Sequence, residues 1–238
     1  MSDMRAVLVS FRLDMARIAV SSASGFVPFL LPLLFAVIFG LAGRADGGAD
    51  FATGGVVGSV FGVGTILPIS AFSYEWLEQH GRMNGIIPAD RTHQVIGRYL
   101  TLPVFAAIII AETTLALAIL HLTAHGNLNG LAQALTTSVL GSTWSFMVFE
   151  LVLFPLFYRW NDMRKALLCV ATFFVGVAVL VTVTLYLVPE DAFNAFGDAV
   201  AQAMANPAVG IPAGLGVLVV MTAVSLPVSI ACRRRKEF

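Results

Sequence analysis

Glu112 and Glu150 are the side chains best placed to do chemistry, because each interrupts a long apolar run. An ionised group at the centre of a bilayer costs roughly 2.5–3.5 kcal/mol on insertion scales, so an acid in such a run is a functional candidate. Two uses are open. Each carboxyl either lines a path that attracts a cationic or polar group, or serves packing while neutral or hydrogen-bonded to a neighbouring helix. His121 and His125 stand four apart, a helical spacing that can hold a metal. No third ligand lies near them and no Glu is adjacent, so no metal site is expected. Cys169 and Cys232 are isolated and are expected to be free thiols in a reducing compartment. The His-Glu-x-x-His signature of a zinc protease is absent. The four histidines, His80, His93, His121 and His125, avoid the last three apolar runs, where a serine protease would need one beside its serine. The clustered aspartates of a lipid-phosphate transferase are also missing, and no catalytic residue is assigned.

The elements that position these groups follow from composition. Of 238 residues, 58% are hydrophobic and 12% are charged, and the mean hydropathy is +0.87. A soluble domain carries about 25% charge, so this chain has too little polar surface to cover a globule in water. A spanning helix needs about 20 apolar residues. Six blocks qualify: Ser24–Ala42, Gly54–Tyr74, Arg98–His121, Leu131–Phe157, Ala166–Val188 and Ala208–Cys232. The first is too long and too rich in Pro and Phe for a cleaved signal peptide. The expected fold is therefore an all-α polytopic membrane protein with six transmembrane helices, forming one transmembrane domain over residues 1–238.

Charge sets the expected orientation. With both termini in the cytoplasm, the inner segments hold Arg5, Arg12 and Arg17, then Arg82, Arg91 and Arg98, then Arg159, Arg164 and Lys165, and finally Arg233, Arg234, Arg235 and Lys236. That is thirteen of the fourteen basic residues, and only Arg44 falls outside. The outer loops instead carry Asp46, Asp50, Glu190, Asp191 and Asp198.

Residues 1–22 read as an amphipathic interface helix, with Met4, Val7, Leu8, Phe11, Met15 and Ile18 on one stripe and Arg5, Ser10, Arg12 and Arg17 around the rest. Gly54, Gly58 and Gly62 recur every four residues and make a smooth face for close helix packing, inside the chain or across a dimer. No Lys-Ser or Lys-Thr follows these glycines, so they form no phosphate loop. Pro68, Pro103, Pro155 and Pro227 fall near predicted cytoplasmic ends, where each removes a backbone donor. Residues 189–207 have room for a short interfacial helix. The polar segment 75–94 mixes charge with Trp76, Leu77, Met83, Ile86 and Ile87, the mark of a protein contact.

Glu75, Ile87-Pro88-Ala89-Asp90-Arg91 and Arg98-Tyr99-Leu100, together with Pro155-Leu156-Phe157-Tyr158-Arg159-Trp160, carry a resemblance. The chain resembles the membrane subunits of type-2 ABC transporters, in particular compact six-helix exporter permeases paired with a separate ATPase. It departs from their pattern at Ile87, where Leu is usual, at Asp90, where Ser or Thr is usual, and at Thr92-His93-Gln94. The resemblance implies a dimer of two permeases, the second being the same chain or a paralogue, around a central path in the cell membrane. It makes residues 75–94 a cytoplasmic coupling loop seated on an ABC ATPase. Glu75, Glu78, Arg82, Arg91 and Arg98 would then pair with the ATPase or orient the loop, with Trp76, Ile86 and Ile87 as apolar anchors and Pro88 and Tyr99 completing the motif. The chain has no Walker A sequence, so ATP and Mg would sit on the partner subunit, with no cofactor in this chain and no nucleic acid involved. Amphipathic cargo such as peptide, lipid or drug is expected. A proton-coupled secondary transporter or channel using Glu112 and Glu150 is the competing reading, although no three-plus-three repeat is visible.

Overall fold

The computed structural model describes residues 3–21, 26–46, 49–65, 68–69, 71–73, 90–160 and 162–235. The described residues form helices and connecting turns, with no strand among them. In order the helices are α1 (Asp3–Ser21), α2 (Phe26–Asp46), α3 (Ala49–Gly64), α4 (Arg91–Tyr99), α5 (Thr101–His125), α6 (Leu131–Arg159), α7 (Met163–Leu187), α8 (Glu190–Ala205) and α9 (Pro207–Arg234). A helix satisfies its own backbone groups, which lipid cannot do, so a chain this apolar is confined to helices or closed barrels.

Four helical segments are long and apolar enough to cross a membrane: 91–125 (α4 continuing into α5), 134–159, 167–184 and 208–234. The first two expected spans are shorter apolar stretches, Phe29–Gly43 and Ala52–Gly64. At about 1.5 Å per residue, the 16 residues of α3 reach about 24 Å, less than the ~30 Å hydrocarbon core.

The chain divides into two compact units, Met1–Glu150 and Leu151–Phe238. In the first, α2 packs on α5 and α3, α3 packs on α5, and α1 packs on α4. Two glycines permit this closeness. A Cβ at Gly40 would strike the Thr123 hydroxyl, and a Cβ at Gly64 would strike Ile109 of α5, with Phe146 of α6 alongside. Phe105, Ile109, Leu117 and Phe146 form the core of this unit. At Gly54, Gly58 and Gly62 an added Cβ would meet nothing within 4 Å. Among the described residues the close approaches of α3 therefore fall on its other glycines, Gly55 against Phe39 and Gly64 against Ile109, and the face bearing these three is open.

α4 runs into α5 through one residue, Leu100, whose backbone is still helical. Pro103 explains the break. It has no N–H to give the Tyr99 carbonyl, so the ladder loses a rung there. The Thr101 hydroxyl turns back to donate to the Arg98 carbonyl at 2.7 Å.

In the second unit α8 packs along α9, within the span where the sequence left room for a helix. Pro155 sits inside α6 and cannot donate to the Leu151 carbonyl. The Ser225 hydroxyl of α9 donates to that carbonyl instead. A backbone acceptor released by proline in α6 is thus answered by a side chain of α9, as a low-dielectric setting demands.

Candidate coupling site and intramembrane acids

The most specific polar contact of the first unit joins α1 to α4. Arg98 donates through Nε to Asp14 Oδ2 and through Nη2 to Asp14 Oδ1, both at 3.0 Å. Both residues are buried, at 3% and 4% exposure. Arg17, one turn further along α1, approaches the same carboxylate at 3.6 Å. The Phe72 ring lies under the guanidinium, 4.4 Å from its centroid to Cζ, and adds a cation–π contact. Two parallel N–H···O bonds fix direction as well as distance, which a single Lys contact cannot do.

Gly97 makes this pair possible. A Cβ there would lie 2.8 Å from Ser10 Cβ, 2.9 Å from the Val7 carbonyl oxygen and 3.0 Å from the Phe11 nitrogen. Two of these are backbone atoms that cannot swing away, so α4 can approach α1 this closely only with glycine at the crossing.

The face of α1 used here is Ala6, Ser10, Asp14 and Ile18. Of the apolar stripe expected from the sequence, only Ile18 is buried, while Met4 and Leu8 are exposed. Small side chains let the two backbones meet, and Met4 and Leu8 are left facing outward, where a membrane surface can take them. Asp14 escaped the sequence reading because an acid between Arg12 and Arg17 looks like a solvated charge. The signal that could have found it is the four-residue repeat of small or short residues from Ala6 through Ser10 to Asp14.

The other coupling candidates divide into two groups. Glu75, Trp76, Glu78, Arg82, Ile86, Ile87 and Pro88 lie outside the described residues. Arg91 opens α4 and is exposed, whereas Tyr99, at the other end, is buried along with Val95 and Arg98. Residues 91–94, the end of the expected coupling loop, are the first turn of that helix. Arg98 spends its charge inside the chain, orienting α4 on α1.

Glu112 on α5 and Glu150 on α6 are both buried, Glu150 completely. Neither carboxyl has a hydrogen-bond partner among the described residues. The Thr113 hydroxyl beside Glu112, and Thr143 Oγ1 and Trp144 Nε1 two turns before Glu150, are likewise buried without one. Buried polar groups are seldom left unanswered, so α5 and α6 carry hydrogen-bonding capacity that the described residues do not use.

His121 and His125 lie side by side at the end of α5, with ring centroids 5.6 Å apart and planes tilted by 57°. They border a cavity of about 150 Å³ that is also lined by Gly43, Ala52, Thr53, Leu120, Ala124 and Ala134. Among the described residues no group of three His, Cys, Asp or Glu converges to hold a metal.

Comparison with known families bears on this arrangement of helices. The family model described as "ABC-2 family transporter protein" matches residues 17–232. The chain belongs to this family. It is therefore a membrane permease of a type-2 ABC transporter, which agrees with its apolar spanning helices. No curated protein and no solved structure matches the chain. The match leaves out the first 16 residues, so the Asp14 half of the α1–α4 ion pair lies just outside it while Arg98 lies within.

Proposed function

We propose that this ABC-2 permease is the membrane half of an exporter, crossing the membrane six times with both termini in the cytoplasm. It works as a dimer with a second permease and is driven by a separate ABC ATPase that binds ATP and Mg. The ATPase seats on residues 75–94, with Trp76, Ile86 and Ile87 as anchors and Glu75, Glu78, Arg82 and Arg91 as charged contacts. The observation that carries this reading is the buried Asp14–Arg98 pair. It ties the N-terminal helix to the helix that follows the 75–90 segment directly. A push delivered to that segment would then move α1 and α4 together and pass through Leu100 into α5, the helix that bears Glu112.

Glu112 and Glu150 line the path in this reading, and their unanswered carboxyls favour an amphipathic cargo with a cationic or hydrogen-bonding group. Peptides, lipids and drugs of that kind fit. A tagged chain extracted from its native host in mild detergent should bring down a stoichiometric ATPase, and joint replacement of Ile86, Ile87 and Arg91 should release it. A homogeneous preparation without an ATPase would overturn the coupling reading. Glu112→Gln and Glu150→Gln, at normal expression, should each slow ATP-dependent uptake of an amphipathic cationic dye into inside-out vesicles. Wild-type rates in both would remove these acids from the path.

A further inference from the structure

The Ser225–Leu151 contact fixes more than one hydrogen bond. It joins α6 to α9 at a point from which both continue toward their C-terminal ends, α6 to Arg159 and α9 to Arg234. Beyond it lies a cavity of about 440 Å³ lined by Arg159 of α6, by Val228, Ala231 and Cys232 of α9, and by Arg235 just past its end. Two permanent positive charges from separate helices thus meet at one apolar-walled hollow. Among the described residues, no carboxylate pairs with either arginine. The apolar wall extends along α9. Val217, Val220, Val224 and Val228 recur at intervals of three or four on one face, and all four are exposed. Ala231, Cys232 and Arg235 continue the same stripe into the cavity.

Arginines at helix ends commonly do no more than complement the local carbonyls and reach for the membrane surface. That role needs each arginine beside its own helix terminus and calls for no shared hollow. Convergence on one cavity, with an exposed apolar track leading out of it, matches a ligand that has an anionic head and an apolar tail. Basic pockets between spanning helices take lipid headgroups in this manner. The track lies on a helix long and apolar enough to span, which favours a lipid over a free anion.

We propose that the Arg159–Arg235 cavity binds the phosphate headgroup of an anionic phospholipid, with an acyl chain lying along Val228, Val224, Val220 and Val217. The site needs only that α6 and α9 span the membrane, and it is independent of the coupling reading. The ligand would brace the ends of two helices that Pro155 and Pro227 deprive of backbone bonds.

Native mass spectrometry of the detergent-purified full chain tests this, using phosphatidylglycerol and phosphatidylcholine with identical acyl chains. Phosphatidylglycerol should bind about tenfold more tightly, and Arg159→Gln with Arg235→Gln should erase that preference. Arg159→Lys with Arg235→Lys should keep most of it, and Arg164→Gln with Lys165→Gln, which removes as much charge elsewhere, should keep all of it. Val228→Trp fills the hollow with both arginines intact and should also erase the preference, which covers the case in which the double glutamine variant fails to fold. Equal binding of the two lipids to the wild type, or a preference that survives both Arg159→Gln with Arg235→Gln and Val228→Trp, would overturn the proposal. Inorganic phosphate binding as tightly as phosphatidylglycerol would overturn the lipid source in favour of a free anion.

Discussion

Helices α5 and α7 are each 25 residues long and each apolar enough to cross a membrane, yet they end in opposite environments. α5 buries Phe105, Ile109, Glu112, Thr113, Ala116, Leu117 and Leu120. The spanning stretch of α7, residues 167–184, has no buried residue at all. The difference lies in what the neighbours offer. α5 is met by glycines on other helices, Gly40 facing Thr123 and Gly64 facing Ile109, whereas among the described residues nothing lies within 4 Å of a Cβ placed at Gly176 of α7. Polar groups follow the same division. Thr172, Thr182 and Thr184 of α7 each donate to a carbonyl four residues back in their own helix, at 2.7–2.8 Å. On α5, Glu112 and Thr113 are buried with no partner among the described residues. Apolar length sends a helix into lipid, but only small residues on a second helix bring it into a packed interior, because lipid is as apolar as any side chain it would replace.

This contrast can be broken by substitution. The largest effect is expected at the ion pair that anchors the packed unit. Asp14→Ala leaves Arg98 buried and should cost about 3–5 kcal/mol in thermal unfolding in detergent, whereas Asp14→Leu with Arg98→Leu should recover most of it. If the single change is neutral, α1 is not held by this pair. Next comes Ile109→Ala, which opens a void beside Gly64 and Phe146 and should cost about 2 kcal/mol or more. Ser225→Ala leaves the Leu151 carbonyl unanswered beside Pro155 and should cost about 0.6 kcal/mol, no more than about 1.7. The smallest change is expected on α7, where Val179→Ala should stay within about 0.5 kcal/mol, since that side chain is exposed and packs against nothing that the substitution would empty. A destabilisation by Val179→Ala as large as that of Ile109→Ala would mean that a second subunit covers α7, and the contrast with α5 would fail.

Particular residues show how far the sequence could be read. The runs around Glu112 and Glu150 were legible as helices because each is long and apolar and no proline falls between Pro103 and Pro155. The family was legible at Pro88, Arg91, Arg98 and Tyr99 and again from Pro155 to Trp160, where residue type and order matter more than shape. The partner of Arg98 was not legible. Asp14 lies 84 positions away, and no periodicity reaches across that distance. The glycines were legible only in part, for a related reason. The regular spacing of Gly54, Gly58 and Gly62 describes one helix face, but a close approach depends on which face a second helix meets, and here Gly55 and Gly64 are met instead.

By itself the sequence determined that this protein is a bundle of apolar helices made for a bilayer. Hydropathy and the absence of backbone satisfaction in lipid leave a chain of this composition few other forms. Tertiary structure decided which of those helices are covered, which glycines let them touch, how Asp14 meets Arg98, and how Arg159 and Arg235 come to line one cavity. Those meetings depend on the placement of whole helices, which is set by a few small residues and proline-freed carbonyls on partners distant in sequence.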